Sequence, residues 1–391
     1  MNTRFSFLSK QLTLVRYPEA QQHKSLQAWD SADELLIEHV DTLSVDGGQC
    51  IIFNDDFGVL GTWFAEKKPY WISDSHIAHR SLAANLAHNA IASADDGFKV
   101  SAPVIAMDSL APLPAAPALV MIKIPRTLAL LEQQLIALSQ VMTPDTRIIA
   151  AGKVKSVTSG VLALFEKYIG ETSTSLAKKK SRLIFAVPQQ APTHQSPYPT
   201  TWSCRLPDGK SVTLQNHANV FSRQSLDIGA RFMLEHMQAG DQDGIVDLGC
   251  GNGVLGLNAL HQAPGSTVHF VDESYMALAS ARDNVALNMP EKLTQCHFHV
   301  SNCLETLINL PQRPGISRIL CNPPFHQQNT ITDHIAWQMF KESRELLTKG
   351  GHLVVVGNRH LDYHQKLKRL FGGVKLLASQ RKFVILVAAK R

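Results

Sequence analysis

Ile245-Val246-Asp247-Leu248-Gly249-Cys250-Gly251-Asn252-Gly253 is the stretch that decides the fold. Its first four residues read as a buried strand, and the three alternating glycines as a loop that feeds a helix. Glycine lets backbone approach a ligand with no Cβ in the way. In a doubly wound sheet, ligands bind at the carboxyl end of such a first strand. The spacing G-x-G-x-G departs from the dinucleotide fingerprint G-x-G-x-x-G, and the lysine of a phosphate-binding loop is missing.

Strand and helix signals alternate on either side. Residues 268–272, 297–300, 318–321 and 352–356 read as strands, with helical stretches at 274–288 and 333–347 between them. Five strands alternating with helices imply an α/β, mostly parallel, doubly wound sheet. Residues 374–378 and 383–388 should add an antiparallel hairpin at its edge.

The loop gains meaning from its neighbours. Asp272 ends the second strand, twenty-three residues after Gly249. A carboxylate there can accept both hydroxyl protons of a ribose. Asp247 sits under the loop and could fix its backbone or receive a cationic part of a ligand. Asn302 follows the third strand, where an adenine edge would lie. Asn219-Val220-Phe221-Ser222-Arg223 precedes a helix starting near Asp227, and Phe221 could close over a bound nucleoside.

Asn322-Pro323-Pro324-Phe325 ends the fourth strand, on the same sheet edge as the glycines. In isolation it would be a proline turn with a helix cap. Beside a nucleoside site its residue types suit methylation of an amino group on a base. Such a nitrogen has its lone pair delocalised into the ring. Two acceptors on its two N–H groups, the Asn322 side-chain oxygen and the Pro323 carbonyl, can turn the lone pair toward a sulfonium methyl. The prolines fix the backbone so that the acceptors are already aimed. Phe325 offers a face for the base.

The first half repeats the plan. Pro188-Gln189-Gln190-Ala191-Pro192-Thr193-His194-Gln195-Ser196-Pro197-Tyr198-Pro199-Thr200 has a linker composition and separates residues 1–187 from 201–391. Residues 50–55 stand where 244–248 stand. Asp74 falls opposite Asp272, and Lys123-Ile124-Pro125-Arg126 opposite Asn322 to Phe325. Asn85 and Asn89 lie eleven and fifteen residues after Asp74. Asn284 and Asn288 lie twelve and sixteen after Asp272. At its would-be glycine loop this copy reads Asn54-Asp55-Asp56-Phe57-Gly58, and Lys123 donates where Asn322 accepts. It is expected to have lost the cofactor and to bind RNA or support the second domain.

In the order 218–222, 226–229, 246–254, 270–274 and 322–326, the second half resembles class I S-adenosylmethionine-dependent methyltransferases of the amino-methylating group. It looks like the tandem-domain bacterial ribosomal RNA guanine-N2 methyltransferases, whose first domain is inactive. Leu26-Gln27-Ala28-Trp29-Asp30, residues 122–135 and Asn358-Arg359-His360-Leu361-Asp362-Tyr363 look closer to the members acting on 23S than on 16S ribosomal RNA. The resemblance implies two tandem Rossmann-like methyltransferase domains with S-adenosylmethionine as cofactor. It also implies cofactor contact at Asp247, Gly249, Cys250, Gly251, Asp272, Asn302 and Phe221. Catalysis would fall to Asn322, Pro323, Pro324 and Phe325, on an unpaired or flipped guanine in protein-free 23S ribosomal RNA. The alternatives are a guanine of 16S RNA, an adenine amino group, a protein glutamine, or a non-catalytic RNA-binding assembly factor.

Composition agrees with this. The 391 residues are 45% hydrophobic and 18% charged, with a net charge of +5. That suits a globular protein with a nucleic-acid partner without proving one. Lys178-Lys179-Lys180-Ser181-Arg182 and a second-half cluster of Lys366, Lys368, Arg369, Arg381 and Lys382 could contact phosphates, with Arg359 and His360 nearer the substrate mouth. Six cysteines without C-x-x-C spacing read as reduced thiols, with no metal expected. No apolar span or leader is visible, so a cytoplasmic monomer is the expectation.

Overall fold

The computed structural model describes residues 2–19, 26–43, 47–91, 104–189, 194–324 and 330–391. The chain forms two units, Met1–Pro197 and Tyr198–Arg391. Each opens with a two-stranded antiparallel hairpin and continues into a seven-stranded sheet.

The first unit begins with β1 (Arg4–Phe7) and β2 (Lys10–Thr13), then α1 (Ser31–Val40). It continues through β3 (Cys50–Phe53), α2 (Val59–Trp63), β4 (Tyr70–Ile72), α3 (His76–His88), β5 (Ile105–Met107), β6 (Leu119–Lys123), α4 (Leu128–Ser139) and β7 (Arg147–Lys153). It closes with α5 (Ser159–Tyr168), β8 (Thr172–Thr174) and β9 (Ser181–Ala186). The sheet order is β5-β4-β3-β6-β7-β9-β8.

The second unit has β10 (Thr200–Arg205), β11 (Ser211–Asn216), α6 (Ile228–His236), β12 (Gly244–Leu248), α7 (Val254–Gln262), β13 (Thr267–Asp272) and α8 (Tyr275–Asn288). There follow β14 (Cys296–Val300), α9 (Glu305–Ile308), β15 (Ile316–Cys321), α10 (Thr330–Leu346), β16 (Leu347–Asn358), α11 (Tyr363–Phe371), β17 (Lys375–Ser379) and β18 (Phe383–Ala389). Its order, β14-β13-β12-β15-β16-β18-β17, is that of the first unit strand for strand. Strands β12 to β16 pair in parallel, and β18 runs antiparallel to β16. A helix-connected strand must be parallel to its neighbour, and a hairpin partner must not. The central strands are apolar on both faces because helices cover both. Ile245, Val246, Phe270, Ile319, Leu320 and Val355 are fully buried.

The duplication reaches single hydrogen bonds. Asn284 donates to the backbone oxygen of Gln215 in β11 and accepts from its N–H, and Asn288 does the same with Thr213. Asn85 and Asn89 clasp Val15 and Thr13 in the same way. Asn284 also holds the Asn252 carbonyl, as Asn85 holds that of Phe57. These asparagines staple each hairpin region to the helix that follows the second strand.

The structure corrects one correspondence. Ser75 and Ser274 are the N-caps of α3 and α8, and Asn85 and Asn284 each lie ten residues further on. Counting back two from each cap pairs Asp272 with Ser73, not with Asp74. Asp272 accepts from the Ser274 N–H and Ser73 from the Ser75 N–H. The one-residue offset in the asparagine spacings was the sign of this. Two strand limits also shift. β16 starts at Leu347, five residues before 352, and β10 starts at Thr200, the last residue of the proline-rich stretch. Among the described residues no helix is long and apolar enough to cross a membrane.

Candidate functional site

The glycine loop leaves β12 with three left-handed residues, Gly249 (φ 70°), Gly251 (φ 53°) and Gly253 (φ 78°). L side chains avoid that region. The glycines differ in what a Cβ would meet. At Gly253 it would press on Ala281 at 2.9 Å and Phe270 at 3.1 Å, so this glycine serves packing. At Gly251 it would meet nothing within 4 Å, and at Gly249 only the Met339 methyl at 3.5 Å. Those two face open space beside the loop.

Two carboxylates brace the loop. Asp272 accepts the Gly251 N–H at 2.9 Å and the Ser274 N–H at 3.0 Å through different oxygens. Burial raises its pKa against these bonds. Asp247 is 1% exposed. One oxygen accepts the Gly256 N–H at 2.8 Å, and the other has no partner. Burial, opposed by that bond and reinforced by Asp272, pushes its carboxyl up to about 8. An unpaired oxygen on a buried acid under an open loop is the kind of group a cationic ligand satisfies.

Cys250 turns inward. Its side chain belongs to the apolar core around Phe270, its N–H is spent on Val271 and its carbonyl on Gly253. Burial and the nearby Asp272 and Asp247 push its thiol well above the usual range. Asn302 is buried at the end of β14, its side chain 3.4 Å from Glu305, one residue after Ser301 bonds the Asp272 carbonyl. Phe221 is 60% exposed on a loop fixed by Asn219 N–H to the Met276 sulfur and by Arg223 to the Ala218 carbonyl. Met276 lies in the first turn of α8, next to Asp272.

Asn322 leaves β15 beside Leu248, the residue before the loop, since Leu248 pairs with Cys321. Its side-chain nitrogen donates to Asp227 at 3.2 Å. Its Oδ1 is buried and has no partner. Pro323 is buried and Pro324 exposed; Phe325 lies outside the described residues. Asp227, read from sequence only as a helix start, therefore proves to be part of the site. Nothing in local sequence links it to a residue ninety-five positions away.

The equivalent place in the first unit is filled. Asn54 stands at Gly249 and binds the Lys123 carbonyl and Gln134. Asp55 caps α2 by accepting from Val59 and Gly61. Lys123 stands at Asn322 and reaches Asp30 at 3.2 Å and Asp33. Burial alone would depress its ammonium; Asp33 and Asp30 hold it above its ordinary value. Among the described residues, Asn54, Asp55 and Lys123 leave no buried side-chain atom without a partner as Asn322 does. In the first basic cluster, Lys178 pairs with Glu38 and Lys179 with Glu34.

Residues 2–190 match the family described as the RLMG N-terminal domain, and residues 211–387 the methyltransferase small domain. The chain is 60% identical to ribosomal RNA large subunit methyltransferase G of Alteromonas mediterranea over the full length of both. It is 53% identical to the protein of that name from Pseudoalteromonas atlantica, again over both full lengths. Among solved structures it resembles the Thermus thermophilus 16S rRNA N2 G1207 methyltransferase, described as bound to AdoMet and guanosine. There the TM-score is 0.77 at 20% identity, covering 100% of this chain and 98% of that one, a likeness of fold.

Proposed function

The chain belongs to the ribosomal RNA large subunit methyltransferase G family, and from that premise we propose that it methylates the exocyclic N2 amino group of one guanine in 23S ribosomal RNA. The cofactor is S-adenosylmethionine, and the second unit fits it. The open left-handed Gly251 would leave room for its body, and Asp272, which braces the loop, would take its ribose hydroxyls. The unpaired Asp247 oxygen offers a counter-charge to its cationic end. When bound, it supplies an electrophilic methyl group on a sulfonium.

The observation that carries the reading is the orphaned Asn322 Oδ1, with the nitrogen of the same amide held by Asp227. An amide so held presents an acceptor, not a donor, to the cleft. It suits an incoming N–H. With the Pro323 carbonyl on the second N–H, the nitrogen lone pair turns toward the methyl. The new N–C bond forms as the C–S bond breaks, with that electron pair leaving on sulfur. The nitrogen becomes cationic, and both acceptors favour the charge. Its proton passes to water once the charge has formed. A base stacked in a helix cannot reach this edge, so the target is unpaired or flipped.

The test is mass spectrometry of 23S RNA from cells with and without the gene. Loss of one N2-methylguanosine supports the reading. Loss of a different methylated base, or of none, overturns it. Protein-free 23S RNA should outperform the assembled subunit as substrate in vitro.

A further inference from the structure

The two copies allow one crevice to be compared with itself. In the second unit, a cavity of about 690 Å³ is lined by Ile228, Asn358, Arg359, His360, Arg381, Lys382 and Phe383. Ile228 follows Asp227, the residue that holds Asn322, and is 64% exposed. No carboxylate lines the cavity. Arg359 is pre-aimed: its guanidinium donates to Ser379 Oγ at 2.6 Å and the Gln380 carbonyl at 2.8 Å, and its N–H bonds the Lys382 carbonyl.

Strand register identifies the same place in the first unit. Lys153 pairs with Ser181 as Asn358 pairs with Phe383, so Lys179 and Lys180 stand where Arg381 and Lys382 stand. The caps Asp30 and Asp227 place Ser31 at Ile228, Glu34 at Arg231 and Glu38 at Glu235. There Lys153 and Ser31 bridge the equivalent place, and the cavity of about 90 Å³ next to it shares only Ser31 and Lys179 with that place. Lys153 donates to Ser31 Oγ at 2.7 Å, Ser31 bonds the Lys179 carbonyl, and Glu34 and Glu38 neutralise Lys179 and Lys178. In the second unit most of the closing elements differ, although Glu38 is kept as Glu235 and Lys179 as the cation Arg381. Lys153 is replaced by Asn358, Ser31 by Ile228, Glu34 by Arg231 and Lys178 by Gln380. Among the described residues, Arg359, Arg381 and Lys382 make no ion pair.

We propose that this open crevice is the seat of the RNA backbone next to the target nucleotide, with Arg359, Arg381 and Lys382 on its phosphates and Ile228 against the neighbouring sugar or base. Adjacent cations without counter-charges repel one another, and a polyanion relieves that. Ile228 adjoins Asp227, which holds Asn322, so the crevice borders the residue that would receive the base. The inference rests on the reading of Asn322 as the amino-group holder.

The test uses the full chain with protein-free 23S RNA. Arg381→Glu with Lys382→Glu should raise the RNA KM by about tenfold or more, while kcat at saturating RNA and S-adenosylmethionine affinity stay within twofold. In direct RNA binding, losing two phosphate contacts should make the log K against log salt slope shallower by about 1.4. The neutral pair Arg381→Gln with Lys382→Gln should show the same direction if the reversal misfolds. Lys292→Glu, before β14 at the opposite edge of the sheet, changes net charge by two as the neutral pair does and should leave KM unchanged. An unchanged KM and slope in the crevice variants, or an equal loss in Lys292→Glu, overturns the proposal. If the wild type makes no N2-methylguanosine, the functional reading fails, and the salt slope still decides the crevice.

Discussion

Asp227 accepts a hydrogen bond from the Asn322 side-chain nitrogen, and so fixes the orientation of that amide, whose Oδ1 is left without a partner. The same Asp227 oxygen caps α6 by accepting the Ala230 N–H at 2.9 Å. One carboxylate thus joins a helix start to a strand end. The first unit keeps the joint with other chemistry, since Asp30 caps α1 and takes Lys123.

Asp227→Ala should therefore have two separable effects. Loss of the cap costs about 1 kcal/mol of stability. Release of the amide lets it present its NH2 group to the substrate, and kcat should fall about 10- to 100-fold. S-adenosylmethionine affinity should not move. Asp227→Asn keeps an oxygen in place and should retain most activity. A kcat for Asp227→Ala within twofold of wild type would show that the hydrogen bond is only structural.

The glycines should separate by function. Gly251→Ala puts a methyl where nothing lies within 4 Å, on a left-handed residue. The backbone strain costs about 1–2 kcal/mol, while the methyl enters the space assigned to the cofactor. Titration calorimetry should show at least tenfold weaker S-adenosylmethionine binding. Gly256→Ala instead drives a Cβ to 2.3 Å from Phe270. It should lower Tm through overpacking of about 1–3 kcal/mol. Similar affinity losses in the two variants at equal stability would contradict this division.

Sequence made the sheet legible because buried parallel strands read as apolar runs and the glycine loop marks a fixed place among them. It made the duplication legible through spacing. It also pointed to Ser73's position, through an asparagine offset of one, yet Asp74 drew the eye because it is charged. The Asp227–Asn322 bond was not legible, since only the folded sheet brings a helix cap to the end of β15. Nor was the inward turn of Cys250, because a loop residue's direction is set by its φ angles and by Val271, not by its neighbours in sequence. That Lys178 and Lys179 pair with Glu38 and Glu34 was not legible either, since only the fold brings α1 beside them.

The first unit should depend on its buried charges for stability and contribute no cofactor site. Lys123→Ala leaves Asp33, 4% exposed, without its cation. Breaking a buried pair from one side costs about 3–5 kcal/mol. A transition assigned to the first unit should melt early, while S-adenosylmethionine binding stays at one site per chain. Lys123→Met with Asp33→Asn should recover much of the loss. Two sites per chain in the wild type, or a Lys123→Ala protein as stable as wild type, would refute the account.

Asp247 carries a pH dependence with a defined sign. Its carboxyl is pushed up to about 8 in the fold, by burial first and by Asp272, against an ordinary value of 3.8. The folded state then holds a proton that the unfolded state releases between those values. The stability from the protonated acid is fully present below about pH 4 and is lost as pH rises through about 8. Asp247→Asn removes the titration and keeps an oxygen for the Gly256 N–H. Without cofactor, its Tm relative to wild type should rise from pH 5 to pH 8.5. A bound cation favours the ionised acid, so wild-type affinity for S-adenosylmethionine should strengthen over the same range, and the variant should lose both the affinity and the dependence. Differential scanning fluorimetry with and without the cofactor reads both trends. A Tm difference that is flat with pH would mean that Asp247 is not the titrating group.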